Sequence, residues 1–155
     1  MKYRKFGKTG PEVSEIGFGA WAIGGSWGKQ SESDSLEALG TALDQGVNFI
    51  DTATGYGNGK SERIIGEFLK SRPETVYVCT KTPPAPGKWP PSPYCRIEER
   101  YSEKYLRENV EERLRNLQAE SLDVLLLHTW TRAWNDQSTA LKILQRMKSE
   151  GLIGQ

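Results

Sequence analysis

Asp51, Lys81 and His128 each stand directly after a short run of apolar and β-branched residues, the kind of run that forms a buried strand. Tyr56 lies five residues beyond Asp51, in a turn that is rich in glycine. A carboxylate, an ammonium group, a phenol and an imidazole are groups that proteins use to donate and accept protons at a substrate. If the fold brings them together, these four residues could carry acid–base chemistry.

Alternating apolar periodicities predict four strands, each followed by a helix. The predicted strands span residues 16–18, 47–50, 76–80 and 122–127. The apolar positions of the four helices are Leu36, Leu39, Ala42 and Leu43, then Ile64, Ile65, Phe68 and Leu69, then Leu106, Val110, Leu114 and Leu117, and last Leu141, Leu144 and Met147. Ser31 or Ser33 is expected to cap the first helix and Gly46 to end it, and Ser61 is expected to cap the second.

The spacing of the strands indicates the kind of sheet. Near-continuous apolar strands separated by helices predict a parallel sheet of the α/β class, and they recur about every 35 residues, the unit size of a (β/α)8 TIM-type barrel. Eight such units need roughly 250 residues. The sequence therefore predicts one domain, residues 1–155, built as the N-terminal half of such a barrel. A hairpin between residues 3–5 and 12–13 should precede it, and residues 151–155 should open a fifth strand.

The carboxyl ends of parallel strands meet at one edge of the sheet, where α/β proteins build their sites. Asp51, Lys81 and His128 are therefore expected at one place, with Tyr56 leaning over them. The tryptophans also fall in segments that follow strands, at Trp21, Trp27, Trp89, Trp130 and Trp134. We predict an aromatic-lined substrate pocket around the four polar residues, formed by all of these tryptophans except Trp27. Packing under a long loop is the alternative role for Trp27 and Trp89.

Composition excludes several functional classes. Lys and Arg number 21 and Asp and Glu 20, and the net charge of +1 is too balanced for a general nucleic-acid surface. Two cysteines are too few for a disulfide scaffold, and a single histidine leaves no cluster with metal-ligand spacing. No run of about 18 apolar residues occurs, and none follows the basic N-terminus. We expect a cytoplasmic protein without metal, membrane or nucleic-acid partners.

Four runs of the sequence resemble the aldo-keto reductase superfamily. The run NFIDTATGYG at residues 48–57, followed by Ser61 and Glu62, resembles its catalytic signature. The run IGFGAW at residues 16–21 resembles its first barrel strand. Thr80-Lys81 and Leu126-Leu127-His128 match the strand ends that supply its lysine and histidine. The resemblance covers residues 3–153.

The resemblance implies NADPH-dependent reduction of aldehydes or ketones. Such a reaction needs a proton donor at the carbonyl oxygen, and a phenol with a pKa of about 10 is a reluctant donor near neutral pH. A nearby ammonium group favours the phenolate, so Lys81 would make Tyr56 a better donor, while Asp51 keeps Lys81 charged and oriented. His128 would form a hydrogen bond with the substrate oxygen and help to place it.

The resemblance also assigns part of a cofactor site. Gly19, Ala20, Trp21 and Asp51 would face the nicotinamide ribose. In the superfamily, later strands and loops hold most of the dinucleotide, and the four units predicted here do not include them. We therefore expect NADP(H) to bind weakly to this chain and its reductase activity to be impaired.

Each candidate residue also has a structural interpretation. Asp51 could cap a turn, Lys81 could be a solvated strand end, Tyr56 could pack within its turn, and His128 could be a buried histidine with satisfied hydrogen bonds. Metal-dependent hydrolysis at Asp51 and His128 would have too few ligands. The charged run at residues 98–115 indicates a solvated helix face.

The segment at residues 82–101 contains six of the eight prolines. A loop of this length in a compact domain usually has a function. We expect an ordered flap over the mouth of the pocket, which would select the carbonyl substrate. A proline-rich ligand for a partner protein is the alternative.

A half-barrel would leave open strand edges at residues 16–18 and 122–127 and an uncovered apolar inner face. Unpaired backbone groups and exposed apolar surface favour association. We therefore expect a homodimer or higher oligomer whose contacts include these edges. The alternative function, from a different class, is a non-catalytic half-barrel that self-associates or serves as an interaction scaffold.

Overall fold

Two short strands form an antiparallel hairpin at the N-terminus of the computed structural model. β1 (Tyr3–Lys5) pairs with β2 (Glu12–Ser14). The turn between them is closed by the Gly10 N–H, which donates to the Phe6 carbonyl at 3.0 Å. The predicted hairpin is confirmed. The structure describes residues 1–25, 27–28, 30–88, 92 and 94–155.

A four-stranded parallel sheet follows the hairpin, with its strands in chain order. Its strands are β3 (Phe18–Gly19), β4 (Phe49–Asp51), β5 (Tyr77–Thr82) and β6 (Val124–Leu127). Helices lie between successive strands, so each connection is a crossover. This is the arrangement of a β/α barrel wall, and the predicted α/β class and partial TIM-type barrel are confirmed.

The α-helices of the described residues are α1 (Glu32–Asp44), α2 (Lys60–Leu69), α3 (Ile97–Arg100), α4 (Glu103–Leu117) and α5 (Thr139–Ser149). Ser31 caps α1 as predicted, because its hydroxyl accepts the Asp34 N–H at 3.0 Å. Gly46, with a φ of 86°, lies just beyond the end of α1. Within the described ranges, no helix is long and apolar enough to cross a membrane.

The predicted cap of α2 is wrong. Gly59, with a φ of 77°, occupies the N-cap position, and Ser61 lies fully buried inside the first turn. The Ser61 hydroxyl donates to the Ala20 carbonyl and accepts from the Thr52 hydroxyl, each at 2.9 Å. Because a buried hydroxyl needs such partners, Ser61 ties α2 to the segments that follow β3 and β4.

The buried stripe of α5 differs from the predicted one. Ala140, Ile143 and Met147 are buried, whereas Leu141 is 46% exposed and Leu144 is half-buried. The three buried residues recur at helical spacing on one face. The prediction was wrong at Leu141 because the small side chain of Ala140, which carries a weak apolar signal, faces the core.

Residues 152–155 pair with the start of the fourth predicted strand. Ile153 forms a parallel bridge with Leu122, and the Leu122 N–H donates to the Leu152 carbonyl at 3.0 Å. The predicted opening of a fifth strand is therefore confirmed. The expectation of an open edge at residues 122–127 is corrected, because residues 152–155 supply backbone partners along part of it.

Helices α2 and α4 pack closely at Gly66. A Cβ atom at Gly66 would lie 2.5 Å from the Leu117 carbonyl oxygen at the end of α4. Such a distance is a steric overlap, so only glycine permits this packing. The approach brings α4 against α2, where both helices bury polar residues that support the candidate site.

We predict that Gly66→Ala lowers the free energy of unfolding by about 1–3 kcal/mol, because the added methyl group must push the two helices apart. Gly40→Ala is the matched control. Gly40 lies in α1, and a Cβ added there would have its nearest atom, in the Phe68 ring, 3.9 Å away. That variant should be neutral or stabilised by up to about 1 kcal/mol through helix propensity. Urea unfolding measures both, and a Gly66→Ala variant as stable as Gly40→Ala would contradict the close approach.

Candidate active site

A charged pair joins the carboxyl ends of β4 and β5. Lys81 Nζ donates to Asp51 Oδ1 at 2.6 Å and to the Thr52 carbonyl oxygen at 2.8 Å. The sheet register causes this contact, because Asp51 lies opposite Cys79 and Lys81 follows two residues later on the same face. The lysine side chain is 13% exposed and the aspartate 42%. A largely buried ammonium group is therefore held by a carboxylate that still meets solvent.

Tyr56 lies over this pair. Lys81 Nζ is 3.5 Å from Tyr56 Oη and 5.2 Å from the centroid of its ring. The first distance is long for a hydrogen bond, so the lysine charge acts on the phenol mainly through space. The structure thus brings together Asp51, Tyr56 and Lys81, as the strand-end argument expected.

Close backbone packing fixes the turn that carries Tyr56. The Tyr56 N–H donates to the Ala53 carbonyl at 3.0 Å. A Cβ atom at Gly24 would lie 2.5 Å from the Tyr56 carbonyl carbon, and one at Gly57 would overlap the Gly24 carbonyl oxygen. Glycine at both positions lets the Tyr56 turn pack directly against the short 3-10 turn at Ala22–Gly24.

His128 completes the group on the β6 side. The backbone N–H of His128 donates to the Thr82 carbonyl at 2.9 Å. Its ring centroid lies 6.3 Å from that of Tyr56, with the ring planes 85° apart. Partial burial lowers the pKa of His128 below its usual 6.5, and the charge of Lys81 lowers it further, while Asp51 opposes both effects. The imidazole is therefore neutral at neutral pH, with one nitrogen able to donate and the other able to accept a hydrogen bond.

Two exposed tryptophans extend the site on the β3 side. Trp21 stacks on Tyr56 with ring centroids 5.9 Å apart and planes 26° apart. Trp27 meets Trp21 edge to face at 5.3 Å. Trp21 is 48% exposed and Trp27 73% exposed, so both rings offer apolar surface beside the phenol.

The other tryptophans of the predicted pocket divide between surface and core. Trp130 is 40% exposed and lies two residues beyond His128. Trp134 is fully buried, and its Nε1 donates to the Cys95 carbonyl at 2.8 Å. It therefore packs the fold and does not line an open pocket, which corrects its expected place. Trp89 lies outside the described residues.

The segment expected to face a nicotinamide ribose lies beside Asp51. Gly19 pairs with Asp51 in the sheet register, and the Ala20 N–H donates to the Asp51 carbonyl at 2.9 Å. Gly19 is exposed, with no atom within 4 Å of the position of a Cβ. Ala20 is fully buried. Open space therefore borders Asp51 along Gly19, and Ala20 shapes it through its backbone.

Part of the proline-rich segment is held against α3. Arg100 is 8% exposed, and its guanidinium donates to the Ala85 carbonyl at 2.8 Å and to the Lys88 carbonyl at 3.0 Å. The Ala85 N–H in turn donates to the Arg100 carbonyl at 2.8 Å. The predicted flap also includes residues 89–91 and 93, which lie outside the described residues.

A buried polar cluster, absent from the sequence predictions, supports the site from behind the sheet. Glu62 and Arg113 are both fully buried, with Arg113 Nε 3.6 Å from Glu62 Oε1. The Glu62 carboxylate accepts hydrogen bonds from the Thr80 hydroxyl at 2.6 Å and from the Asn116 amide at 2.8 Å. Burial raises the pKa of Glu62, although Thr80, Asn116 and Arg113 each oppose that rise.

Arg113 connects this cluster to the Tyr56 turn, because its Nη2 donates to the Thr54 hydroxyl at 2.8 Å. The prediction that residues 98–115 form a solvated face is therefore wrong at Arg113. The sequence signal was its position, three residues after the buried Val110 and four before the buried Leu117, on the apolar stripe of α4.

The parallel β/α wall and the polar group at its carboxyl edge define a partial-barrel protein of the α/β class with a candidate acid–base site. The sequence matches the family model "Aldo/keto reductase family" over residues 15–155. The chain belongs to the aldo-keto reductase family.

Curated relatives and solved structures agree with this membership. The chain is 39% identical to "Aldo-keto reductase YhdN" of Bacillus subtilis over 131 residues, which cover 83% of this chain and 38% of the relative. It is 32% identical to the "NADH-specific methylglyoxal reductase" of Escherichia coli over 165 residues, which cover 99% of this chain and 50% of the relative. A solved aldo-keto reductase from Bacillus halodurans, in its holo form, superposes with a TM-score of 0.79 at 28% identity. The match covers 99% of this chain and 48% of the solved chain. The chain thus spans about half the length of these relatives, or less.

The only histidine of the chain gives a direct test of the electrostatics of the site. We predict that His128 titrates below pH 6.5 by NMR, that Lys81→Met raises its pKa by removing a positive charge, and that Asp51→Asn lowers it. Lys70→Met, which removes an exposed lysine paired with Glu67, should leave the titration unchanged. Because the unfolded chain takes up the proton at a higher pH, the contribution of His128 lowers stability as the pH falls below 6.5. Lys81→Met without an upward shift would contradict the arrangement.

Proposed function

We propose that this chain carries the proton-transfer part of an aldo-keto reductase site, which reduces an aldehyde or ketone with hydride from NADPH. The observation that carries the proposal is the position of Lys81 Nζ, at 2.6 Å from Asp51 and 3.5 Å from Tyr56. A lysine that merely ended a strand would extend its ammonium group into solvent. Lys81, with a side chain only 13% exposed, instead lies between a carboxylate and a phenol, where its charge would stabilise a phenolate formed in the reaction.

In this proposal Tyr56 is the acid. NADPH, when bound, supplies a hydride to the carbonyl carbon. The proton that the carbonyl oxygen needs comes from Tyr56 Oη, so the carbonyl becomes an alcohol and the tyrosine becomes a phenolate. The phenolate is stabilised by Lys81, Asp51 holds Lys81 in position, and a proton from solvent restores the phenol.

His128 places the substrate in this proposal. Its ring lies edge-on to Tyr56 at 6.3 Å between centroids, and in this proposal both groups contact the same substrate oxygen. As a neutral imidazole it can donate a hydrogen bond to the carbonyl oxygen without competing as a proton source. The exposed rings of Trp21 and Trp130 would then contact the apolar part of the substrate.

The residues expected at the cofactor fit a flat ring and a ribose. Gly19 leaves open space beside the half-exposed carboxylate of Asp51, and Trp21 offers an exposed aromatic ring. These few contacts support weak binding, and we expect a Kd above about 100 μM for NADPH. Because one relative is named as NADH-specific, NADH belongs in the same titration.

We predict that Tyr56→Phe lowers the rate of NADPH oxidation by the 155-residue chain roughly 100-fold, with methylglyoxal and 4-nitrobenzaldehyde as substrates, because the variant lacks the acid. Cofactor affinity, measured by fluorescence, should be nearly unchanged. Tyr94→Phe is the control, since Tyr94 is 94% exposed. A wild-type rate no higher than that of Tyr56→Phe, or a variant that keeps more than about half the rate, would contradict the proposal.

The second candidate function is assembly, and one observation favours it. Ile16 is 64% exposed and Leu126, on the same face of its strand as His128, is 44% exposed. Leu126 thus exposes apolar surface on a face of the sheet, Ile16 exposes more just before β3, and exposed apolar surface favours association. We propose that the 155-residue chain forms a homodimer or higher oligomer through this face and the edge of β3, and that it acts as a scaffold if catalysis is absent.

Sedimentation velocity of the 155-residue chain tests this assembly. We predict association at micromolar concentration, and Leu126→Lys should weaken it because a charge would be placed in an apolar interface. Leu141→Lys is the matched control, because Leu141 is 46% exposed but lies on α5. A folded wild-type monomer whose unfolding is independent of protein concentration would exclude the assembly.

A further inference from the structure

We propose that Tyr101 is a positioning residue for His128: its hydroxyl group fixes the backbone that aims the imidazole into the candidate site. The inference rests on the proposed function, in which His128 orients the substrate oxygen. Tyr101 is the last residue of the predicted flap segment, and it belongs to none of the four runs that resemble the superfamily. It immediately follows α3 and reaches the site by folding back against the loop after β6.

The evidence is a double hydrogen bond to the residue after His128. Tyr101 Oη donates to the Thr129 carbonyl oxygen at 3.1 Å and lies 3.3 Å from the Thr129 nitrogen, whose N–H donates to it. One hydroxyl group therefore contacts both peptide groups of Thr129. Such a contact restrains the direction of the chain as well as its position.

The two peptide planes on either side of the His128 Cα atom are thereby both held. The His128 N–H, in the first plane, donates to the Thr82 carbonyl at 2.9 Å. The Thr129 N–H, in the second plane, donates to Tyr101. With both planes restrained, the φ and ψ angles of His128 are restrained, and so is the direction of its Cα–Cβ bond. β5 supplies one restraint and Tyr101 supplies the other.

Tyr101 is itself rigidly placed. It is fully buried, and its ring meets Trp134 edge to face with centroids 5.8 Å apart. Trp134 is anchored in turn by its hydrogen bond to the Cys95 carbonyl. The aromatic pair therefore holds the Tyr101 hydroxyl at one point beneath Thr129.

The hydroxyl group must keep its proton to donate to Thr129. Burial raises the pKa of Tyr101 to about 12, which outweighs the hydrogen bond to Thr129 and the charge of Arg100. The hydroxyl thus remains a donor across the pH range in which His128 titrates.

Tyr101→Phe tests this inference, because it keeps the buried ring and removes only the hydroxyl. The readout is the NMR titration of His128, the only histidine in the chain. We expect its imidazole proton shifts to change and its pKa to rise by about 0.3 units or more, because the released ring moves away from Lys81 and gains water. Tyr3→Phe is the matched control. Tyr3 lies in the N-terminal hairpin, and its Oη also donates to a backbone carbonyl, that of Gly46, at 3.0 Å.

A Tyr101→Phe spectrum in which His128 has the wild-type shifts and titration would overturn the inference, whatever the stability of the variant. Hydrogen exchange in the wild-type chain provides a second test that survives a failure of the variant to fold. The Thr129 amide should exchange slowly, because it donates to a buried acceptor. Fast exchange at Thr129 in the folded wild type would also overturn the inference.

These readouts need no catalytic activity, so they separate the inference from the proposed function. If Tyr101→Phe displaces the imidazole while Tyr56→Phe leaves the reductase rate unchanged, the proposed function fails and the positioning role of Tyr101 stands. If Tyr56→Phe abolishes the rate and Tyr101→Phe leaves His128 undisturbed, the function stands and the inference fails.

Discussion

The buried carboxylate of Glu62 is the constraint on which the rest of the site depends. A carboxylate removed from water is costly unless its oxygens are paired, and its partners come from two other elements: Thr80 of β5, and Asn116 and Arg113 of α4. Loss of any partner would leave a charge or a donor without compensation inside the protein. Glu62 therefore fixes β5 and α4 relative to α2. Since Thr80 immediately precedes Lys81, the same contact also holds the strand end that delivers the lysine.

The support continues from this cluster to each candidate group. Arg113 contacts the Tyr56 turn through the Thr54 hydroxyl. That turn packs on the turn at Ala22–Gly24, at a distance that only glycine at positions 24 and 57 permits. Ser61 links the start of α2 to the backbone beside Asp51. The acid–base residues are thus held by buried hydrogen bonds behind the sheet, while their functional atoms face its open edge. Positioning of this kind is what allows a few side chains to act together on a substrate.

The sequence predicted the parts of the site that follow from a parallel sheet. Asp51, Lys81 and His128 end adjacent strands, so the pleat and the register alone bring them to one edge. Sequence reasoning failed where tertiary contact decides the role of a residue. The charged composition around Arg113 predicts a solvated side chain, but Arg113 is fully buried beside Glu62. Trp134 follows a strand end, yet its ring packs inward against Tyr101. The stripe position of Arg113 is a local signal of burial, but its contact with Glu62 and the contact of Trp134 with Tyr101 are not predicted locally, because each partner lies at least 30 residues away.

The contacts among the candidate acid–base residues are local, and this explains why they form within four β/α units. Asp51 and Lys81 come from neighbouring strands, and Tyr56 comes from the turn that directly follows the first of them. No contact in this triad crosses the barrel, so its assembly needs only neighbouring elements: β4 paired with β5, α2 and α4 behind them, and the turn at Ala22–Gly24. Alignment of a hydride donor is different in kind, because a dinucleotide is far larger than the surface between Gly19 and Asp51. Under the proposed function, Tyr56 is therefore in place before a cofactor is held, and most of the affinity for a dinucleotide would come from surface other than that between Gly19 and Asp51.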